Sequence, residues 1–248
     1  MESSKISLWK YRGPKTENKG RRHLKTGFPL MILVAALFLT TTAPVYASDA
    51  VGAQEIVNKA GATFRDFMFD DNYSWLREHL KDAKGLLIFP LVLKAGFFLG
   101  ASGGTGILLR RDAETGEWSQ PAFYTIGAGS FGLQLGIEAA EIVVLVRTEK
   151  AIDSLLTFSF KLGGDISATA GPQGAGVKAD VTGHFISFAR AKGIFIGLDL
   201  EGSVISVREG LNQAYYGRDV TPEDIIVKNE VSNNGSEVLR AALKNAAQ

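Results

Sequence analysis

The first residues that invite a chemical reading are Gly127-Ala128-Gly129-Ser130-Phe131-Gly132. Their spacing satisfies G-x-G-x-x-G, the loop that cradles a dinucleotide pyrophosphate, and Glu149 follows where a ribose-binding acid would stand. That chemistry needs a helix directly after the glycines, so that phosphate meets a helix N-terminus. The following residues alternate as a strand does, and a glycine-bent β-turn is the expected structure instead. The same stretch has the shape of a nucleophile elbow. Ser130 would be the nucleophile, one of Asp153, Asp165 and Asp180 the acid, and His184 the base, in α/β-hydrolase order. The elbow is also a strand-to-helix turn, so the same objection meets it. The histidines are His23, His79 and His184, none at metal-pair spacing, and there is no cysteine. Thiolate ligands and disulfides are thereby excluded. No catalytic residue, metal or cofactor is expected.

A second set of residues suits binding. Lys94 stands beside Phe97-Phe98, and Arg110-Arg111 closes an apolar strand. Cations next to aromatics that can insert would hold a lipid headgroup at a membrane face. Phe123 and Tyr124, with Phe97 and Phe98, would line the concavity of a bent sheet. The plainer alternative is that scattered Lys and Arg solvate the surface. The expected lipid-binding set is therefore Lys94, Phe97, Phe98, Arg110, Arg111, Phe123 and Tyr124.

The elements that must position these residues are strands. From Lys84 to Val146, short apolar runs alternate with glycines and with one polar turn, Asp112-Ala113-Glu114-Thr115-Gly116-Glu117. Such runs read as β-strands, and glycines within them mark bulges and bends. Strands are expected at 85–90, 96–101, 106–111, 118–126, 131–137 and 142–147, with a further alternating region from Val177 to Val207. Helical spacing appears at Ala53–Met68, with Asp49 as candidate cap, then at 73–83, at Glu149–Phe158 and at Ser236–Ala246. Thr221-Pro222-Glu223-Asp224 reads as a helix start. The fold class is α+β: a strongly curved, mainly antiparallel, glycine-rich sheet, half-barrel-like, with N-terminal amphipathic helices and a C-terminal helix. The Ala53–Met68 helix either packs on that sheet or lies in a membrane interface.

The chain has 248 residues, 46% of them apolar, with 28 glycines and 7 prolines, which fits a globular body. Its net charge of +1 hides an asymmetry. Residues 1–47 hold eight Lys and Arg against two Glu, which leaves 19 basic and 24 acidic residues in the rest. A mildly acidic body argues against nucleic acid as a partner. The basic start, the apolar run around Leu30–Leu39 and the small residues before Ser48 predict a secretory signal over 1–47, cut after Ala47. An uncleaved anchor within 28–47 is the alternative. Residues 48–248 form the single domain, periplasmic or envelope-associated.

Several strings occur together and in order: KGLLIFP, Trp118-Ser119 with Pro121-Ala122-Phe123-Tyr124, and Gly132-Leu133-Gln134-Leu135-Gly136. After them come Asp165 to Pro172 as D-x-S-x-x-A-G-P, and Asn212 with Tyr215-Tyr216-Gly217. Over about Ala53 to Val227 the chain resembles the SYLF lipid-binding family, whose fungal relatives are described as an actin-binding domain. The resemblance implies one α+β domain that binds membrane lipids, aided by an amphipathic N-terminal helix, and it carries over no catalytic residue. It is closest to the exported bacterial type, for which actin is not an expected partner. The expectation is thus a non-enzymatic protein of the cell envelope that binds phospholipid. The alternative is a structural or scaffold protein that uses the same surface for a protein partner; a serine hydrolase is the remote one.

Overall fold

A computed structural model describes residues 45–96, 99–131, 136–163, 166–191, 194–196 and 200–248, all within one unit, Pro44–Gln248. The expected signal segment lies outside the described residues, save for its last three residues. Those three open helix α1, Val45–Phe69, so Asp49 lies inside the helix rather than capping it.

The apolar run Leu86-Leu87-Ile88-Phe89 has no polar alternation because the strand it forms is buried on both faces. This strand, β1 (Gly85–Gly96), pairs antiparallel with β2 (Leu99–Arg110) and with β4 (Gly136–Val146). The strands expected at 85–90, 96–101 and 106–111 are therefore two long ones. β3 (Ala122–Phe131) pairs with β2, and β9 (Val204–Val207) with β3. β7 (Phe185–Ala191) continues from β4, and the short β5 (Ser159–Lys161), β6 (Ala168–Ala170) and β8 (Ile194–Ile196) complete the sheet. The order is β5-β9-β3-β2-β1-β4-β7-β6, with β8 on β7, and only β6–β7 is parallel. This is the curled, mainly antiparallel half-barrel that the sequence predicts.

One device bends the sheet at its centre. Against both neighbours, β1 inserts a residue around Phe89-Pro90-Leu91. Proline cannot donate to a ladder, and a bulge is where a strand tolerates it. The bulged backbone leans onto β2 where β2 has no side chains. A Cβ on Gly106 would stand 2.2 Å from the Ile88 carbonyl oxygen, and one on Gly104 would stand 2.3 Å from that of Leu91.

Helices cover one face of the sheet. α1 lays Ala53, Val57, Ala60, Phe64 and Phe67 on Leu86, Ile88, Ile107, Leu109 and Phe123. Around it pack α2 (Ser74–His79), α4 (Glu209–Tyr216) and α6 (Glu237–Ala246). The other face, with Leu87, Phe89, Leu108, Tyr124 and Val144, is closed by α3 (Glu149–Leu155), α5 (Pro222–Ile226) and the β5 region. Arg190 fastens α1 to the sheet, pairing with Asp66 of α1 at 2.7 Å and with Glu141 of β4, while Thr63 donates to the same Glu141 carboxylate. Burial disfavours the Arg190 charge, but the two carboxylates outweigh it and hold its pKa above the ordinary value.

The signature strings are braces in this fold. The Asn212 amide oxygen accepts the Phe123 N–H at 2.8 Å, and Tyr216 donates its hydroxyl to the Pro121 carbonyl at 2.6 Å. Tyr215 packs edge-on against Phe123, 5.1 Å between ring centroids, and burial pushes its phenol up to about 12. Gly171 lies under the Phe188 ring, where a Cβ would come within 2.2 Å. Thr221 and Asp224 form a complete capping box on α5, whose first residue is Pro222.

Candidate functional site

The structure separates the residues expected to bind lipid. Lys94 pairs in register with Ser102 and Glu138, whereas Arg110 pairs with Gly85 at the far end of β1. At ~3.3 Å per residue the two cations stand about 30 Å apart, so one headgroup cannot reach both. Phe97 and Phe98 lie outside the described residues. Phe123 and Tyr124 are core residues, buried on opposite faces of β3, so neither lines an open concavity. The Tyr124 hydroxyl donates to the Leu155 carbonyl, and burial raises its pKa far above the usual value. Ala53, Val57, Ala60, Phe64 and Phe67 of α1 are spent on the core, while Val51 and Phe69 of the same helix are 70% and 86% exposed.

No hydrolase site is assembled either. Residues Gly127 to Phe131 continue strand β3, so the glycines precede no helix. Ser130 pairs with Gly100 at the distal end of the sheet, and His184 stands at the opposite end, where β7 begins. Three strands lie between β3 and β7. His184 Nδ1 is 2.7 Å from the Thr148 hydroxyl at the start of α3, an edge role. Among the described residues no group of His, Asp and Glu could hold a metal ion.

Arg110 of the expected set lines a cleft, though it was predicted for a lipid headgroup. The Asp112–Glu117 turn closes the β2 end of a short ladder in which Arg111 bridges Trp118. Asp112 accepts from Glu114 N, Thr115 N and the Thr115 hydroxyl, and these donors hold its carboxyl below the usual range. Gly116 takes φ +71°, the left-handed turn that glycine adopts without strain. Beyond the turn, Ser119 accepts from Arg110 N, and Ser236 donates to the Gln120 side chain. Arg240 of α6 donates Nε–H to the Trp118 carbonyl at 2.8 Å. Between this turn and the loop after α5 lies a cleft of about 380 Å³. Ile226, Val227, Asn229 and Val231 line its other wall, Asn229 at φ +55°.

The cleft has an unusual balance of donors. Arg110 reaches Glu149 at 3.3 Å, and that carboxylate is shared with Lys84. Its Nε is nonetheless buried without a partner, as are Arg111 Nε and the indole Nε1 of Trp118. Glu117 is paired with Lys244. The cleft sets the Arg110 and Arg240 side chains opposite the aliphatic side chains of Ile226, Val227 and Val231, with the hydroxyl residues Thr115, Ser119 and Ser232 also in its lining. Sequence reasoning missed Arg240, Ile226 and Val231. Arg240 lies off the apolar stripe of α6, and only folding brings a residue 122 positions away to Trp118.

Fold and cleft together define an α+β half-barrel domain with a cleft of about 380 Å³ at one end of its sheet. Residues 127–246 match the family model described as "Ysc84: Las17-binding protein actin regulator". The chain carries a domain of this Ysc84/SYLF family. It is 33% identical over 149 residues to the SH3 domain-containing YSC84-like protein 1 of Bos taurus, covering 58% of this chain and 43% of that one. It is 36% identical over 154 residues to the SH3 domain-containing protein PJ696.02 of Schizosaccharomyces pombe, at 59% and 35% coverage. Against LAS seventeen-binding protein 3 of Saccharomyces cerevisiae it is 33% identical over 154 residues, at 59% and 33%. The chain thus spans less than half the length of these curated relatives. None of these names describes an enzyme, and one describes a binding protein. They also correct the expected partners: phospholipid was expected and actin excluded, whereas one relative is named for binding LAS seventeen and the family for Las17 binding and actin regulation. The expected lipid set fails on the core burial of Phe123 and Tyr124 and on the split between Lys94 and Arg110.

Proposed function

We propose that this domain is a non-enzymatic protein-binding module whose partner docks at the cleft between the Asp112–Glu117 turn and the loop after α5. The observation that carries this reading is the cleft itself, where Arg110 and Arg240 stand opposite an aliphatic wall of Ile226, Val227 and Val231. A relative's name supports it, since LAS seventeen-binding protein 3 is named for binding another protein, as is the family. The Phe123 and Tyr124 strand serves as scaffold, with its side chains in the core.

Site-specific photocrosslinking tests the reading. A photoreactive residue at Val227, 38% exposed at the cleft, should give a discrete protein adduct in cells that express the full chain. The same group at Phe158, exposed elsewhere, should not. Purified actin filaments and Las17, the partners named for the family and its relatives, are the first candidates to add in vitro. Adducts confined to lipid, or none from Val227, would overturn the proposal.

A further inference from the structure

We propose that the groove between α1 and α6 receives an amphipathic helix of a partner protein, one with a carboxylate beside its apolar stripe. Gln54 of α1 donates to the Gly235 carbonyl just before α6, and Gly61 adjoins Leu239, so the two helices run side by side in one direction. Val57, Gly61, Leu239 and Ala242 line the groove between them, about 250 Å³ in volume, with Val238 and Arg65 on its rims. The groove is separate from the cleft at the Asp112–Glu117 turn, since Arg240 lines the cleft whereas Val238, Leu239 and Ala242 line the groove. It is a second surface, and nothing about it depends on the cleft.

Three features of the groove point to its occupant. Val238 is 81% exposed beside it, although the leucines of the same helix, Leu239 and Leu243, are buried. A single exposed valine is ordinary, but this one borders an apolar hollow that it does not fill. Gly61 stands in the interior of α1, where glycine is destabilising relative to alanine. Among the described residues, an added Cβ there would meet nothing closer than the Leu239 Cβ at 3.9 Å, so packing within the domain does not call for glycine. Bare backbone at that point lets another chain approach closely. Arg65 is exposed, and no acid pairs with it among the described residues; its neighbour Asp66 is taken by Arg190. The charge left to complement is positive, which asks for a carboxylate. An extended segment would set its own N–H and C=O groups against apolar walls where Asn58 and Arg65 are the polar side chains. A helix closes those bonds internally and lays side chains three and four apart into such a groove.

The test uses the full chain with ¹³C-labelled valine methyls and follows Val238, assigned by its loss in Val238→Ala. The probe is a peptide of about 16 residues, some four turns, stapled as a helix, with leucines three and four apart and a glutamate at each end of that stripe. A lysine counterpart, a scrambled counterpart and phosphatidylglycerol vesicles accompany it. The glutamate peptide should move the Val238 resonances saturably, and the scrambled one should not. The lysine peptide should bind about fivefold more weakly, and Arg65→Glu should reverse that order. Gly61→Met, which fills the groove, should weaken binding about tenfold or more while the melting temperature holds or rises. Unmoved Val238 resonances, equal binding of the scrambled peptide, indifference to the charge swap or wild-type binding by Gly61→Met would overturn the proposal. So would resonances that move on dilution of the chain alone, which assigns the groove to a second copy. A response to vesicles while the peptides leave Val238 unmoved assigns it to lipid and overturns the proposal equally.

Discussion

Replacing Gly106 with alanine probes the bulge that bends the sheet. The new methyl would lie 2.2 Å from the Ile88 carbonyl oxygen and 2.5 Å from Phe89 Cδ1. Ordinary contact would require the two strands to separate by about 1 Å. Neither obstacle is a flexible chain end. The oxygen belongs to backbone locked between β2 and β4, and the Phe89 ring is fully buried. Overpacking of this kind costs about 1–3 kcal/mol, while Gly→Ala returns ~0.4–1 kcal/mol through the unfolded chain where the native backbone is compatible. The net expectation is a loss of about 0–2.6 kcal/mol, centred near ~1.3 kcal/mol, which is roughly 3–5 °C in melting temperature for a domain of this size. Gly129→Ala, on β3, is the control, since nothing lies within 4 Å of its added Cβ. Urea denaturation and thermal melts of both variants decide the matter. If Gly106→Ala matches Gly129→Ala in stability, the account of the bulge is wrong.

The braces and the chain's start carry four further predictions. Asn212→Ala strands the buried Phe123 N–H and should cost about 1–3 kcal/mol in denaturation experiments. Tyr216→Phe removes one hydroxyl bond and should cost less, about 0.5–1.5 kcal/mol. The Thr221 hydroxyl and N–H, with Lys228, hold the Asp224 carboxyl well below the ordinary range. A depressed native pKa contributes stability above the unfolded value near ~3.9, lost as pH falls through the native one. Asp224→Asn should therefore destabilise at pH 7 and converge with the wild type as pH drops well below that value. Finally, we propose that residues 1–47 act as an export signal; N-terminal sequencing from expressing cells should then begin at Ser48, and a chain that keeps Met1 would refute cleavage.

Much of the fold was legible because apolar period and glycine placement are local signals. The run at Leu86–Phe89, the capping residues at Thr221–Asp224 and the stripe of α6 each declare themselves within a few positions. Strand lengths were less so. β1 and β2 were read as three pieces because Pro90, Gly104 and Gly106 look like strand ends, whereas pairing across the bulge carries the ladder through them. The site was hardly legible. Phe123 and Tyr124 look like exposed aromatics in sequence, but strands covered on both faces bury both members of an adjacent pair. Arg110 was found for its basicity. Its companion Arg240 arrives from the last helix, and no local pattern announces a contact across that distance.

The position of α1 has a consequence for how the molecule is made. Gln54 hydrogen-bonds the Gly235 carbonyl, 181 residues later, and Leu239 and Leu243 of the last helix share a cluster with Ala53 and Val57. During synthesis the Ala53 end of the first helix therefore keeps part of its apolar stripe bare until nearly the whole polypeptide has emerged, even once the sheet has covered the rest. Closing so wide a loop is slow, and a nascent chain halted before residue 237 lacks the last helix that covers that end. Ribosome-bound intermediates of this domain should lean on holdase chaperones, and a stop codon only a dozen residues early should be far more damaging than its small loss of mass suggests.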